Sequence, residues 1–407
     1  MKNTGKTPLV VFGEDWASHP SSTQHLIRKL MHEHPVIWVN SIGLRRPRIS
    51  WRDINRLFTK LFQILRGKGK AADATDRTTD KPLEIIHPIA LPLPGNRLAS
   101  WFNARSLSRQ VKQTLAKHGL ANPVLWLSLP TAVDVVGRCG ESATLYYAGD
   151  DFSALAGVDH DAVIPMEQSL AAKAQAIVAP SPVIADRFPR DNTFIIPHGC
   201  DHSLFSTPQP KAKELKDGKP IAGFYGSLDE WLDQDLLIWL ARSLPDWKFQ
   251  FIGPIKTDLG ALLSLGNVEF LGVREHHQLP SYVQHWSASL IPFRDTRQIR
   301  ACNPLKLREY LAAGTPIVST AFPAVQKYSD HVAICNDREN FRTALQDCLI
   351  DEPVDRSARQ NRVRSESWEA RAHDMQVLIE ALHFASLTQN AAMESSTPDK
   401  NCSFSNG

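Results

Sequence analysis

The sequence has no cysteine pair at metal-binding or disulfide spacing. Its six cysteines, Cys139, Cys200, Cys302, Cys335, Cys348 and Cys402, are scattered without a CxxC. That argues against a zinc site or a disulfide framework and for reduced thiols in a cytoplasmic compartment. No apolar run approaches the length that crosses a bilayer, and the one in MKNTGKTPLVVFGEDW is too short for a signal peptide, so neither a span nor a leader is expected. An excess of charge of one sign is lacking too: the net charge is +3, so any electrostatic signal for a partner must be local. There is no G-x-G-x-x-G turn, and with it goes the usual dinucleotide fingerprint.

What is present is alternation. Hydrophobic residues make up 43% and charged residues 22%, which excludes a disordered or fibrous class, and 407 residues exceed what one core holds comfortably. Short β-branched runs at 8–12, 36–39, 124–128, 144–147, 176–179 and 193–196 alternate with helix-length segments. The pattern restarts at 221–225, 248–252, 268–271, 288–292, 316–319 and 332–335. Strand and helix alternating twice over predicts an α/β protein of two doubly wound, Rossmann-like domains with parallel sheets. The polar stretch STPQPKAKELKDGK reads as a linker, giving domains at 1–205 and 206–365. A helix at 366–388 that returns to the first domain and a disordered tail at 389–407 complete the expected organisation. Ligands of open parallel sheets sit beyond the carboxyl ends of the strands, so the loops there, facing a central cleft, are where chemistry is expected.

In the second domain, SLIPFRDTRQIRACNPLKLREYLAAG gathers Arg294, Arg297, Arg300 and Lys306 around a helix start, with Asn303 as its cap and Pro304 in its first position. A lysine on a first helical turn opposes the macrodipole unless an anion is there, so the group reads as a diphosphate site. Glu309, three residues on, is placed to accept from ribose hydroxyls, unless Lys306 and Glu309 simply pair on a solvated face. In GFYGSLDEWLDQDLL, Gly223 and Gly226 flank a strand end before a helix, which suits phosphate or an unliganded turn equally.

In the first domain, TLYYAGDDFSAL places Asp150 and Asp151 just past a strand, as a general base for an acceptor hydroxyl, with Asp151 preferred to Asp150, or as an ordinary helix cap. The loop GEDWASHPSSTQHL leads to a helix over 24–31. There Ser21, Ser22 and Thr23 can meet sugar or phosphate, and His19 and His25 are candidates near the reaction centre. Glu167 reads as a helix-start carboxylate. Residues 45–70 hold nine Lys or Arg and one acid around an apolar stripe, the pattern of a basic amphipathic helix on a membrane surface, with packing on the core as the alternative. No RNA-module sequence accompanies that patch, so nucleic acid is not an expected partner.

The stretches NPLKLREYLAAGTPIVST, GFYGSLDEWLDQDLL, FQFIGP, NVEFLGV, LPSYVQHWSASLIPF and IIPHGCDHSLF together resemble the GT-B glycosyltransferases, close to the family-4 (group 1) enzymes and bacterial polysaccharide-biosynthesis relatives such as the xanthan glucuronosyltransferase type. The resemblance implies a transferase that moves a sugar from a UDP- or GDP-sugar to a lipid-linked or glycan acceptor at the inner face of the cytoplasmic membrane. It places Gly226 and Ser227 on the donor diphosphate, Gly253 and Pro254 at the nucleotide pocket, Gly272 and Val273 over the base, and Glu309 on the ribose. Arg300 and the turn Asn303, Pro304 and Leu305 complete the donor set. Lys306 would neutralise the leaving diphosphate, so that no metal or other cofactor is needed. The glycine of PHGCD reads as a crossover turn needing positive φ. Two departures stand out: Ala301 occupies the place of the family's first glutamate, and Asp229 and Glu230 stand where basic residues follow the Gly226 turn. They leave the stereochemistry open and keep two alternatives alive, an epimerase of the same fold and a non-catalytic binding scaffold.

Overall fold

A computed structural model describes residues 6–18, 21–41, 81–91, 93–155, 158–215, 218–350 and 352–395, without side-chain detail from 389. The chain divides into two units. Unit 1 comprises Met1–Ala179, Ala185–Ile196 and Ala372–Gly407; unit 2 comprises Pro180–Ile184 and Pro197–Arg371.

Unit 1 is built on seven strands: β1 (Leu9–Phe12), β2 (Val36–Val39), β3 (Glu84–Ile86), β4 (Val124–Leu127), β5 (Ala143–Tyr147), β6 (Ala176–Ala179) and β7 (Thr193–Ile195). They lie in the order β3-β2-β1-β4-β5-β6-β7, and every pairing is parallel. Strands such as LVVF and VIWV are buried on both faces because helices cover both, which is why they read as unbroken apolar runs. The order in which successive strands are added reverses between β1 and β4, where Leu9 is in register with Val36 on one side and Val124 on the other.

Unit 2 repeats the plan with β8 (Ile221–Tyr225), β9 (Lys248–Ile252), β10 (Val268–Gly272), β11 (Ala288–Ile291), β12 (Ile317–Thr320) and β13 (Ala333–Cys335). The order is β10-β9-β8-β11-β12-β13, again all parallel, with the reversal between β8 and β11. Its core centres on Phe224, Phe249, Phe251, Leu290, Trp286 and Tyr310, all buried. In such sheets the reversal point opens a crevice at the carboxyl ends of the two diverging strands.

Several expectations need correction. The stretch read as a linker is part of unit 2: Gln284 Oε1 accepts from the Gln209 amide at 2.8 Å, and Ala212 N donates to Ser281 O at 3.0 Å. The boundary falls instead at 196/197. The last helix, Trp368–Ser395, continues past the expected start of a tail at 389, and the remainder of that tail lies outside the described residues. Gly199 does not have positive φ. It is needed for close approach, because a Cβ there would lie 2.8 Å from the Trp368 ring and backbone. Glu167 is not at a helix start but within the helix His160–Lys173. The basic segment 45–70 and His19 lie outside the described residues.

Candidate functional site

Unit 2 places its glycines at the carboxyl ends of adjacent strands. Gly226 follows β8, Gly253 follows β9, and Gly272 ends β10. Backbone hydrogen bonds tie them in a row: Gly226 N to Ile252 O at 2.8 Å and Gly253 N to Gly272 O at 2.9 Å. Gly226 and Gly253 adopt φ of +134° and +142°, and a Cβ on Gly253 would collide with the Gly226 carbonyl oxygen. No other residue fits that pair of turns. Ser227 follows with its hydroxyl buried and without a hydrogen-bond partner, while Pro254 and Val273 are exposed at the strand ends. Gly223, by contrast, lies inside β8, and the helix expected directly after Gly226 begins only at Gln234, capped by Asp233.

Lys306 meets this row from the other side of the reversal point. Pro304 caps the helix Leu305–Ala313, and Lys306 is its second residue. Its Nζ lies 5.1 Å from the Phe224 ring centre and 5.3 Å from that of Phe293, and 3.1 Å from where a Gly226 Cβ would stand. Rings that flank an ammonium group stabilise it without neutralising it. Desolvation pulls the amine below its ordinary pKa, opposed by the proximity of Cys302 and Glu309. Among the described residues no carboxylate pairs with Lys306. A half-buried cation, the helix amides and the Gly226 turn therefore converge on one place, which is the arrangement that receives a phosphate group.

Lys306 and Glu309 are not a surface pair. Glu309 is buried; Tyr225 donates its hydroxyl to Oε2, and His276 Nε2 lies 2.7 Å from Oε1. Burial pulls the His276 imidazole down, but the hydrogen bond and charge of Glu309, with the charge of Asp201, outweigh it and hold the ring above its ordinary value. A ribose reaching Glu309 must displace or share one of these partners. Asn303 does not cap the helix: its Nδ2 donates to Pro180 O at 2.7 Å and its Oδ1 accepts from Arg308 Nη1 at 2.7 Å. Arg308 in turn meets Glu366, which also accepts from Lys327 and Tyr328. Arg300 belongs to a short helix, Arg297–Ala301, and is exposed and held bidentately by Asp295 at 2.6 Å, so it is not part of the group around Lys306.

Unit 1 gathers carboxylates at its own reversal point. Glu14, two residues past β1, accepts from the Ser21 hydroxyl and, at 2.9 Å, from Gln24 Nε2. Ser21 caps the helix Ser22–Leu30, on which Ser22 and His25 are half-buried. Ser22 hydrogen-bonds Tyr147 at the end of β5. Asp150 is exposed, yet desolvation together with the charges of Glu14 and Asp151 holds its carboxyl above the usual range. Asp151 is buried, 2.8 Å from Arg187 Nη1, and accepts from Ser153 N at 3.0 Å. Arg187 also pairs with Glu167 at 2.6 Å, and Tyr146 donates to the same carboxylate. Asp151 and Glu167 thus anchor one structural network, and of the two adjacent aspartates Asp150 is the one open to a ligand. This reverses the preference for Asp151.

Residues 219–351 match the model of the glycosyl transferases group 1 family. That match lies wholly within unit 2. A protein of Bacillus subtilis strain 168 described as a teichuronic acid biosynthesis glycosyltransferase, TuaH, is 30% identical over 145 residues, which span 34% of this chain and 36% of TuaH. Among solved structures, sucrose-phosphate synthase from Thermosynechococcus elongatus aligns with a TM-score of 0.66 at 17% identity, over 93% of this chain and all of that one. Anabaena HepE, in complex with UDP and glucose, aligns at 0.59 with 14% identity over 96% of this chain and all of its own. These similarities establish the GT-B fold.

Within residues 219–351 the structure brings together Gly226, Ser227, Gly253, Leu305 and Lys306, with Glu309 one turn further along the helix. Sequence reasoning missed His276, Tyr225 and Phe293 around Lys306 and Glu309. Each reaches them from a different strand end, and only the aromatic residues beside Gly226 and Pro292 offered a signal. Glu14 was likewise passed over in unit 1, although GEDW follows β1 directly.

Proposed function

We propose that the protein is a glycosyltransferase of cell-surface polysaccharide biosynthesis that moves a sugar from a UDP- or GDP-sugar to a hydroxyl of a lipid-linked or growing glycan acceptor. The observation that carries this reading is Lys306: an ammonium group without a counter-ion among the described residues, set against the Gly226 turn and flanked by Phe224 and Phe293. The donor diphosphate supplies the missing negative charge. As the bond between the anomeric carbon and the diphosphate oxygen breaks, charge grows on the leaving group, and Lys306 with the helix amides stabilises it in the role a divalent ion fills elsewhere. Asp150 takes the proton of the acceptor hydroxyl, whose oxygen forms the new glycosidic bond. Glu309 receives the ribose hydroxyls once His276 or Tyr225 yields.

The group 1 match in unit 2 and the description of TuaH support the reaction class, and the UDP-bound neighbour supports the donor class. A lipid-linked acceptor would place the protein at the inner face of the cytoplasmic membrane, in keeping with the basic segment 45–70; no helix among the described residues is long and apolar enough to cross it.

The test is titration calorimetry with UDP, GDP, dTDP and NAD, in the presence of a chelator. One nucleoside diphosphate is expected to bind, and Lys306→Ala to weaken it roughly 10- to 100-fold, the loss of one charge-assisted contact of about 1.5–3 kcal/mol. Equal binding by wild type and variant, or binding only with added metal, overturns the assignment. Binding of the corresponding nucleotide-sugar without release of the nucleoside diphosphate in the presence of acceptor extracts identifies a scaffold instead.

A further inference from the structure

The helix Arg97–His118 of unit 1 buries one side, through Ala99, Ala104, Leu107, Val111 and Leu115. Its opposite side is uncovered. Leu98 is 80% exposed and Trp101 62%, with Phe102 beside them. Arg97, Arg105, Arg109 and Lys112 are exposed as well, and the helix contains no Asp or Glu. At 3.6 residues per turn all seven fall within an arc of about 140°. Leu98, Trp101 and Phe102 occupy the amino-terminal end, and the cations continue along the same face. The Arg105 guanidinium lies 5.3 Å over the Trp101 ring.

A second apolar element lies alongside. Ile89, Leu91 and Leu93 are exposed in the segment between β3 and the helix. This is not slack chain. Asn103 holds both polar groups of the Leu91 backbone, at 2.7 and 2.9 Å, and Ser106 donates to Ile89 O at 2.7 Å. Hydrogen bonds therefore keep apolar side chains pointed at solvent, at a cost that soluble surfaces do not ordinarily sustain.

We propose that this face docks on an anionic phospholipid bilayer. An indole and leucines at one end of a face otherwise lined by arginine and lysine suit a surface with an apolar interior beneath acidic headgroups. The charge distribution disfavours the other occupants. Residues 45–70 carry nine Lys or Arg against one acid, so covering the face with that segment would set cation against cation. A second copy meeting it across a two-fold axis would do the same. The proposal gives the lipid-linked acceptor of the preceding section a surface to be delivered from, and rests on that reading for its purpose only, since vesicle binding requires neither donor nor turnover.

The full chain is to be sedimented with vesicles of phosphatidylcholine alone and of equal parts phosphatidylcholine and phosphatidylglycerol. Wild type is expected to pellet with the anionic vesicles and to be released by salt. Leu98→Ser/Trp101→Ser is expected to lose at least about tenfold in partition while keeping its melting temperature and nucleotide affinity. A Leu98→Cys variant, followed by mass mapping, should react rapidly with maleimide and be protected by anionic vesicles. Four results overturn the proposal: no partition of wild type; equal partition of the variant, which moves binding to another surface such as 45–70; slow labelling without vesicles, which means that the chain itself covers the face; and a wild-type dimer abolished by the double substitution, which assigns it to a second copy.

Discussion

At the scale of single residues, neighbouring side chains of the same type have opposite fates. Asp150 and Asp151 are adjacent, yet Asp151 is locked to Arg187 and Ser153 while Asp150 stays open with its carboxyl raised by desolvation and by Glu14. Asp150→Asn is therefore expected to lower kcat by about 10²–10⁴ with little change in melting temperature. Asp151→Asn should instead destabilise unit 1 by about 3 kcal/mol, because it leaves the Arg187 charge short of a partner. The acid limb of the wild-type rate profile should lie above an ordinary aspartate's, and parallel calorimetry and kinetics on the two variants check the division. The sequence shows two carboxylates past a strand but not which one meets an arginine 36 positions later, since that pairing is set by β5 and β6 lying side by side. Lys306 and Glu309 were legible because helical spacing is local; His276, which holds Glu309, comes from beyond β10 and left no local trace.

Elements show the same division between local and distant information. Most strands could be read to within a residue or two, since runs buried on both faces are apolar throughout. The exception is β3, three residues long, at the sheet edge and beginning with Glu84, which pairs with Lys117 and His118. The short helix Arg297–Ala301 was also missed, because five residues are too few for apolar periodicity. What orients the helix Leu305–Ala313 was invisible: Glu366 accepts from Arg308 at 2.9 Å, Lys327 at 2.8 Å, Tyr328 at 2.7 Å and Arg362 at 3.2 Å. Burial opposes ionisation of Glu366, but these donors and charges prevail and bring its pKa down from 4.5 to about 2. A carboxylate depressed on folding contributes stability above its unfolded pKa and loses it as pH falls through the folded value. Glu366→Gln is therefore expected to cost about 3 kcal/mol at neutral pH, with the gap to wild type closing between about pH 4.5 and 2. Acid titrations of the melting temperature of both proteins decide it; a pH-independent gap refutes the assignment.

On the scale of the whole molecule, neither unit is a single run of chain. The chain passes from one to the other at 179/180, 184/185, 196/197 and 371/372. The last stretch supplies buried Met375 and Ile379, and His383 Nδ1 lies 2.8 Å from the Ser142 hydroxyl. A chain stopped after Arg371 should lose several kcal/mol from unit 1, at about 2–5 per buried apolar side chain removed. Unit 2 in the same protein keeps all its residues and should still gain melting temperature from the nucleoside diphosphate, by about 2.7 kcal/mol at a hundredfold excess over Kd. Differential scanning calorimetry separates the two; loss of nucleotide stabilisation on truncation contradicts the independence of the donor site.

The same interleaving orders events at the ribosome. Unit 1 begins first, but β7 and the part of the last helix beyond Arg371 belong to it and emerge later, the helical part only after every residue of unit 2. The half that starts first must finish last. At about 5–20 residues per second the early strands wait many seconds with part of their apolar surface uncovered. Unit 2, continuous from Pro197 apart from Pro180–Ile184, can close around its own core in the meantime, so the proposed donor site can take shape on the nascent chain before unit 1 is complete.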